Sequence, residues 1–401
     1  MKENQLNTPP SSMQGDEVDE VIPIEDMEEM EFDDDEELVE VEEEFISEEE
    51  GDLAPPEDLA ALVFDKHVGS VFCCDLHPEG KLAATGGEDD KAYVWSVENG
   101  QVVMDCNGHK DSVIFVGFSF DGAYFASADM SGVIKVWKCD QHQENWPIAF
   151  EYEMDDIGDT TWGLWHYKSR VLIFGMTTGN IFLFKIPSGD LKVLQGSNSR
   201  VECGKLFPDG VRLAAGYDDG TVKIWDLKAN SVLHQLPANS HSTQIVAIDT
   251  HPENNLMVSL SSEGKVVLTA SLSKKIVNQL EIEDDLEVAA FTQDPELRYL
   301  ALGTLKGAVR IWDVARQITR HHIQPGEGVA GVTKMIWVNN YLVTGCLDGA
   351  LRIYEGRSGE QTSLTGHQSE VLDLCYNEKV KIILSTSDDG TARIFGNVNL
   401  Q

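Results

Sequence analysis

From residue 90 to the end, one short unit returns at nearly constant intervals: a glycine, four mostly β-branched or apolar residues, then an aromatic. It reads Gly132-Val-Ile-Lys-Val-Trp137, Gly179-Asn-Ile-Phe-Leu-Phe184 and Gly220-Thr-Val-Lys-Ile-Trp225. Later copies are Gly307-Ala-Val-Arg-Ile-Trp312, Gly349-Ala-Leu-Arg-Ile-Tyr354 and Gly390-Thr-Ala-Arg-Ile-Phe395. The first copy has Asp90 in place of glycine and ends at Trp95; a degenerate one runs from Gly264 to Thr269. The anchors at 95, 137, 184, 225, 269, 312, 354 and 395 stand 41 to 47 residues apart. A unit of that length cannot bury its apolar face alone, so neighbouring units must stack into one continuous core. Each unit is strand-rich, with Gly, Asp and Asn turns and almost no 3.6-residue period, which excludes helical repeats. The expected fold is all-β: a propeller of four-stranded blades. Eight anchors predict eight blades, and a seven-bladed ring with the fifth unit unfolded is the alternative.

In detail the units resemble the WD40 family. Gly108-His109 and Gly366-His367 match its Gly-His dipeptide, and Trp225-Asp226 and Trp312-Asp313 its Trp-Asp ending. An Asp stands six residues before the aromatic at Asp89, Asp219, Asp348 and Asp389. The resemblance implies a buried hydrogen-bond relay of His, Ser/Thr, Asp and Trp within a blade. Blade 1 would supply His67, Thr85, Asp89 and Trp95; blade 2 His109, Ser127 and Trp137, with Ser131 at the Asp position; blade 8 His367, Ser385 and Asp389. Blade 4 would contribute Asp219 and Trp225, and blade 7 Asp348. Blades 3, 5 and 6 depart, with Thr178, Glu263 and Lys306 at the Asp position. A Ser-His-Asp set invites a hydrolase reading, but a catalytic set occurs once and this one recurs at fixed spacing. No Gly-x-Ser-x-Gly, Walker loop or His-Glu-x-x-His occurs either. No catalytic residue, cofactor or metal site is expected. The seven cysteines contain no C-x-x-C pair and read as buried free thiols of a reducing compartment.

Residues 1–58 differ from all of this. Residues 1–60 hold 25 acidic side chains against Lys2, a net of −24, within a total of −39. Mutual repulsion and sparse apolar area predict a disordered acidic tail, followed by a propeller over 59–401. Leu59-Ala-Ala-Leu-Val-Phe64 reads as a strand without a unit of its own, and after Phe395 too few residues remain for another outer strand. The stretch 59–65 is therefore expected to complete the last blade and close the ring. Residues 61–401 still carry 44 acidic against 29 basic side chains, a net of −15. That balance disfavours direct nucleic-acid binding and favours basic protein or peptide partners. No apolar run is long enough to span a bilayer. A monomeric, cytoplasmic or nucleocytoplasmic protein is expected.

Binding in a propeller resides in its rim loops and channel. The Gly-His loops and the second-to-third turns share one rim, which the sequence makes acidic. Glu88, Asp129, Asp218 and Asp388 have no relay duty and are candidates for partner contact, with Asp111 and Glu370 beside them. Trp162 is either inner-strand packing or an indole anchor for Arg or Tyr.

Gly86-Gly-Glu-Asp-Asp-Lys-Ala92, Gly108-His-Lys-Asp-Ser-Val113, Asp129-Met-Ser-Gly132 and Gly216-Tyr-Asp-Asp-Gly-Thr221 resemble the family of the angio-associated migratory cell protein and its fungal counterpart. The resemblance implies one of two roles. The fungal member is a dedicated chaperone that shields the basic N-terminal segment of a large-subunit ribosomal protein. The animal member is linked to cell migration and angiogenesis, at cytoplasm and cell surface; the heparin-binding basic stretch attributed to it has no equivalent in the acidic tail. A ubiquitin-ligase substrate receptor is a lesser alternative, since Trp225-Asp-Leu-Lys228 ends in Lys where Trp-Asp-x-Arg is usual. Acidity of both rim and tail favours the chaperone.

Overall fold

The computed structural model describes residues 57–140, 146–153, 158–253, 256–294, 297–326, 330–396 and 400. Residues 1–56 of the expected tail lie outside them, while Glu57 and Asp58 are described. The described residues form eight four-stranded antiparallel sheets. Blade 1 shows the pattern, with strands Val71–Leu76, Leu82–Gly87, Ala92–Ser96 and Val102–Cys106 in that spatial order. First strands of successive blades touch around the whole ring, and that of blade 8, Val371–Asn377, touches that of blade 1. The ring is thus closed, with each first strand innermost. All eight inner strands carry a register shift at their second residue, as between Val71 and Cys73 or Val371 and Asp373. Such a bulge sharpens the strand's twist where the chain leaves the rim.

The degenerate fifth unit is a complete blade, so the seven-bladed alternative fails. Its third strand, Lys265–Ala270, buries Val266, Val267, Leu268 and Thr269 completely. Stacking needs apolar volume on both faces of that strand, and β-branched residues supply it without an aromatic anchor.

Closure is made by a short strand, Leu62–Phe64, antiparallel to Ala392–Phe395 at the edge of blade 8. Residues 59–61 are not strand, but the Leu59 and Ala61 amides donate to the carbonyls of Thr365 and Ile394 at 2.9 and 2.8 Å. Asp58 accepts from Arg393 Nε at 3.3 Å, and the Glu57 carbonyl from the Thr365 hydroxyl at 2.6 Å. Phe64 then leaves blade 8 and lies flat on Trp95 of blade 1, ring centroids 4.6 Å apart. Burying one such phenyl contributes about 1.5–3 kcal/mol, so this strand welds the last blade to the first.

Candidate functional site: an acidic rim

Three loop-to-turn relays fix one rim. In blade 1, His67 Nδ1 donates to Asp89 at 2.9 Å and Nε2 accepts from Thr85 Oγ1 at 2.9 Å. In blade 8, His367 makes the same pair with Asp389 (3.0 Å) and Ser385 (2.8 Å). Each imidazole is buried and holds the loop entering a blade against that blade's second-to-third turn. Burial alone would push the Asp389 carboxyl up; hydrogen bonds from His367, Thr391 and the Gln368 amide outweigh it and hold the group well below the ordinary range.

Blade 2 corrects the sequence reading. Asp129, expected as a free rim carboxylate, is fully buried and is the relay acid. His109 Nδ1 lies 3.1 Å from it, and the Lys110 and Val133 amides and the Ser131 hydroxyl also donate to it at 2.8–2.9 Å. The Ser127 hydroxyl donates to His109 Nε2 at 2.6 Å. The acid has moved two residues back along the turn. Blade 1 has Gly87 there, and a Cβ at that point would lie 2.8 Å from His67 Nδ1. One carboxylate can enter that space from either position, so Asp129 and Asp89 are equivalent in function and not in register.

The relay does not extend to tryptophan. Trp95 and Trp225 Nε1 are buried without a partner among the described residues. Trp137 packs on Phe125 at 5.6 Å. Asp219 has no histidine to meet: its amide donates to Ser199 Oγ and its carboxylate accepts from the Thr221 amide at 2.9 Å. Asp348 instead takes Arg352 of its own hairpin in a two-bond pair, 3.0 and 2.5 Å. Sequence reasoning also missed a relay in blade 5, where His241 sits 3.0 Å from Ser261 and 2.8 Å from Ser259. The signal was available: His and Ser/Thr stand 18 residues apart in all four relays. Blade 6 has Leu302 at the Ser/Thr place but keeps the 22-residue histidine-to-acid separation with the charges swapped. Asp284 occupies the histidine's place and Lys306 the acid's, 3.0 Å apart.

The remaining candidates lie on this rim and are exposed: Glu88, Asp111, Asp218, Glu370 and Asp388. Glu88 accepts from the Ser70 amide at 3.1 Å, and Asp111 from the Ser112 amide at 2.7 Å. Asp388 accepts from the hydroxyls of Ser369 (3.1 Å) and Ser70 (2.5 Å), bridging blades 8 and 1. No cation pairs with any of these five among the described residues. Trp162 is not a displayed anchor. Its Nε1 is buried, and its ring fills the space that Cβ atoms on Gly175 and Gly204 would need, 2.2 and 2.3 Å away. A further acidic cavity of about 410 Å³ lies at the rim end of blade 5, lined by Ser242, Glu263, Lys265, Glu281, Ile282 and Glu283. Glu281 and Glu283 belong to the run Glu281-Ile-Glu-Asp-Asp285, whose charge density was the missed signal. Val68 (79% exposed), Met130 and Leu305 put apolar contacts among the carboxylates. Such a surface suits a basic segment with apolar side chains.

The profile of the WD domain, G-beta repeat, matches residues 61–96, 100–138, 189–226 and 359–396, and that of the anaphase-promoting complex subunit 4 WD40 domain matches 248–340. The angio-associated migratory cell protein of Pongo abelii is 35% identical over 364 residues, 86% of this chain and 81% of that protein. The chain belongs to the angio-associated migratory cell protein family. The human member is 34% identical over the same shares. Ribosome assembly protein SQT1 of Saccharomyces cerevisiae is 23% identical over 372 residues, 83% of this chain and 85% of its own. Among solved structures, Sqt1 of Chaetomium thermophilum bound to the N-terminus of the ribosomal protein L10 superposes with a TM-score of 0.77 at 21% identity, covering 85% of this chain and all of that one. This likeness establishes the shared fold. No described helix is long and apolar enough to cross a membrane.

Proposed function

We propose that this member of the family is a client-binding chaperone, holding the basic N-terminal segment of a large-subunit ribosomal protein on its acidic rim until the client is assembled. The observation that carries the reading is the set of exposed rim carboxylates without cation partners, interspersed with Val68, Met130 and Leu305. The relay acids are neutralised internally, so this set is the charge available to a partner. The fungal propeller of like fold bound to an L10 N-terminus supports the same client class. Binding alone accounts for these features, with no catalytic group or cofactor in the scheme, and the site of action would be cytoplasmic or nucleocytoplasmic. A second reading, a scaffold in cell migration, draws support from the 35% identity to the angio-associated migratory cell protein. Pull-down of a basic ribosomal-protein N-terminus with the triple charge reversal Glu88→Lys, Asp218→Lys, Asp388→Lys tests the first reading. Loss of capture is expected, and undiminished capture would remove the rim from the account. Proximity labelling in cells separates the two readings, with ribosomal proteins expected as the labelled set.

A further inference from the structure

The end of blade 6 farthest from the acidic rim carries the opposite charge. Arg298 stands just before the second strand, Tyr299–Thr304; Arg316 lies in the turn after the third, Val309–Asp313; Arg320 is on the outer strand, Ile318–Ile323. With Tyr299, Asp313 and Ala315 they line a cavity of about 290 Å³. Three guanidiniums stand against Asp313 in the lining and Glu253 beside Arg298, a local net charge of +1 in a chain whose total is −39.

The three cations are not consumed by their neighbours. Arg320 lies over the Tyr299 ring, 5.2 Å from its centroid, which fixes the guanidinium plane. Its Nη2 donates to the Arg357 carbonyl at 3.2 Å, while its buried Nε has no acceptor among the described residues. Arg316 is 70% exposed and meets Asp313 only at 3.8 Å, and Arg298, 51% exposed, meets Glu253 at 3.3 Å. Both have N–H groups left to donate. A buried guanidinium N–H without an acceptor costs free energy unless an oxygen atom is supplied. A planar guanidinium fork matches an oxyanion and binds it through paired charge-assisted bonds.

We propose that Arg298, Arg316 and Arg320 form an oxyanion site whose ligand is a phosphate group. Three guanidiniums offer more N–H donors than the two oxygens of a carboxylate can take, whereas a phosphate brings three strong acceptor oxygens. The site is separate from the rim of the proposed chaperone reading and does not depend on it. A phosphate could be free or carried on a partner's side chain, and the test distinguishes the two.

The experiment is calorimetric titration of the full chain with inorganic phosphate, a phosphoserine peptide and its glutamate counterpart, at matched ionic strength in chloride. The expected result is saturable phosphate binding that weakens at least about tenfold in Arg298→Gln/Arg316→Gln, a pair of exposed positions that leaves the fold intact. Arg320→Lys, which keeps the charge but loses the fork, should also weaken it. Tighter binding of the phosphopeptide than of free phosphate assigns a protein-borne source; equal binding assigns the free ion. Absence of saturable binding by either phosphate probe, or binding unchanged in the double variant, overturns the site.

Discussion

At the scale of the residue, two kinds of aspartate occupy neighbouring positions on one rim and do different work. Asp129 neutralises a buried loop, whereas Asp218 faces solvent. Asp129→Ala should destabilise the protein by about 2–4 kcal/mol, because His109, two amides and a hydroxyl lose their common acceptor. Asp218→Ala should stay within about 0.5 kcal/mol. Denaturant unfolding of the two variants checks this, and equal effects would contradict the division. His241 gives a pH signature. Desolvation, aided by the Lys265 charge, lowers its pKa to about 4. The unfolded chain therefore takes up a proton that the folded one refuses, so this contribution is complete above the unfolded value near 6.5 and is lost between there and about 4. Melting temperature should fall over that window, and His241→Gln should flatten the fall. The residue scale was also the least legible in sequence. The 18-residue His-to-Ser/Thr spacing was readable. Asp129 was misassigned because a two-residue shift along a turn leaves the carboxylate in the same space while moving it out of register. Tryptophan was over-read because an indole can be buried by stacking without donating its N–H.

At the scale of the element, the strand Leu62–Phe64 matters more than its three residues suggest. It pairs the last edge of the ring, places Phe64 on Trp95, and follows the Asp58–Arg393 contact that ties the chain to blade 8. Deleting 59–65 should lower the melting temperature by roughly 10 °C or more, while deleting 1–55 should change it little. Equal melting temperatures for the two truncations would refute a weld at this strand. The element pattern was legible because strand stacking imposes period and apolar content together. The closing strand could be found by elimination, since it had no unit of its own. Its ends could not, because residues 59–61 bond to blade 8 without strand geometry. The fifth blade likewise could not be judged from its missing aromatic, since burial of Val266, Val267 and Leu268 does the same packing.

At the scale of the whole molecule, two charged features stand at opposite ends of the blades. Carboxylates crowd the rim set by the relays, and an arginine-lined cavity lies at the far end of blade 6. Rim acidity was legible from composition and turn position; the run from Glu281 showed its charge density in sequence, but its place beside Glu263 comes only from the fold. Electrostatic capture of a basic client predicts a defined salt response, since exposed charges are screened over about 8–10 Å at physiological ionic strength. Replacing Glu281 and Glu283 by Gln should weaken client binding several-fold without altering the melting temperature, as measured by titration and thermal unfolding. The most direct measurement is the affinity of the full chain for a basic ribosomal-protein N-terminal peptide as salt rises from about 50 to 500 mM. The account predicts a steep, monotonic loss of affinity, shallower in the Glu88, Asp218 and Asp388 reversal variant. An affinity independent of salt, or a slope identical in that variant, would contradict it.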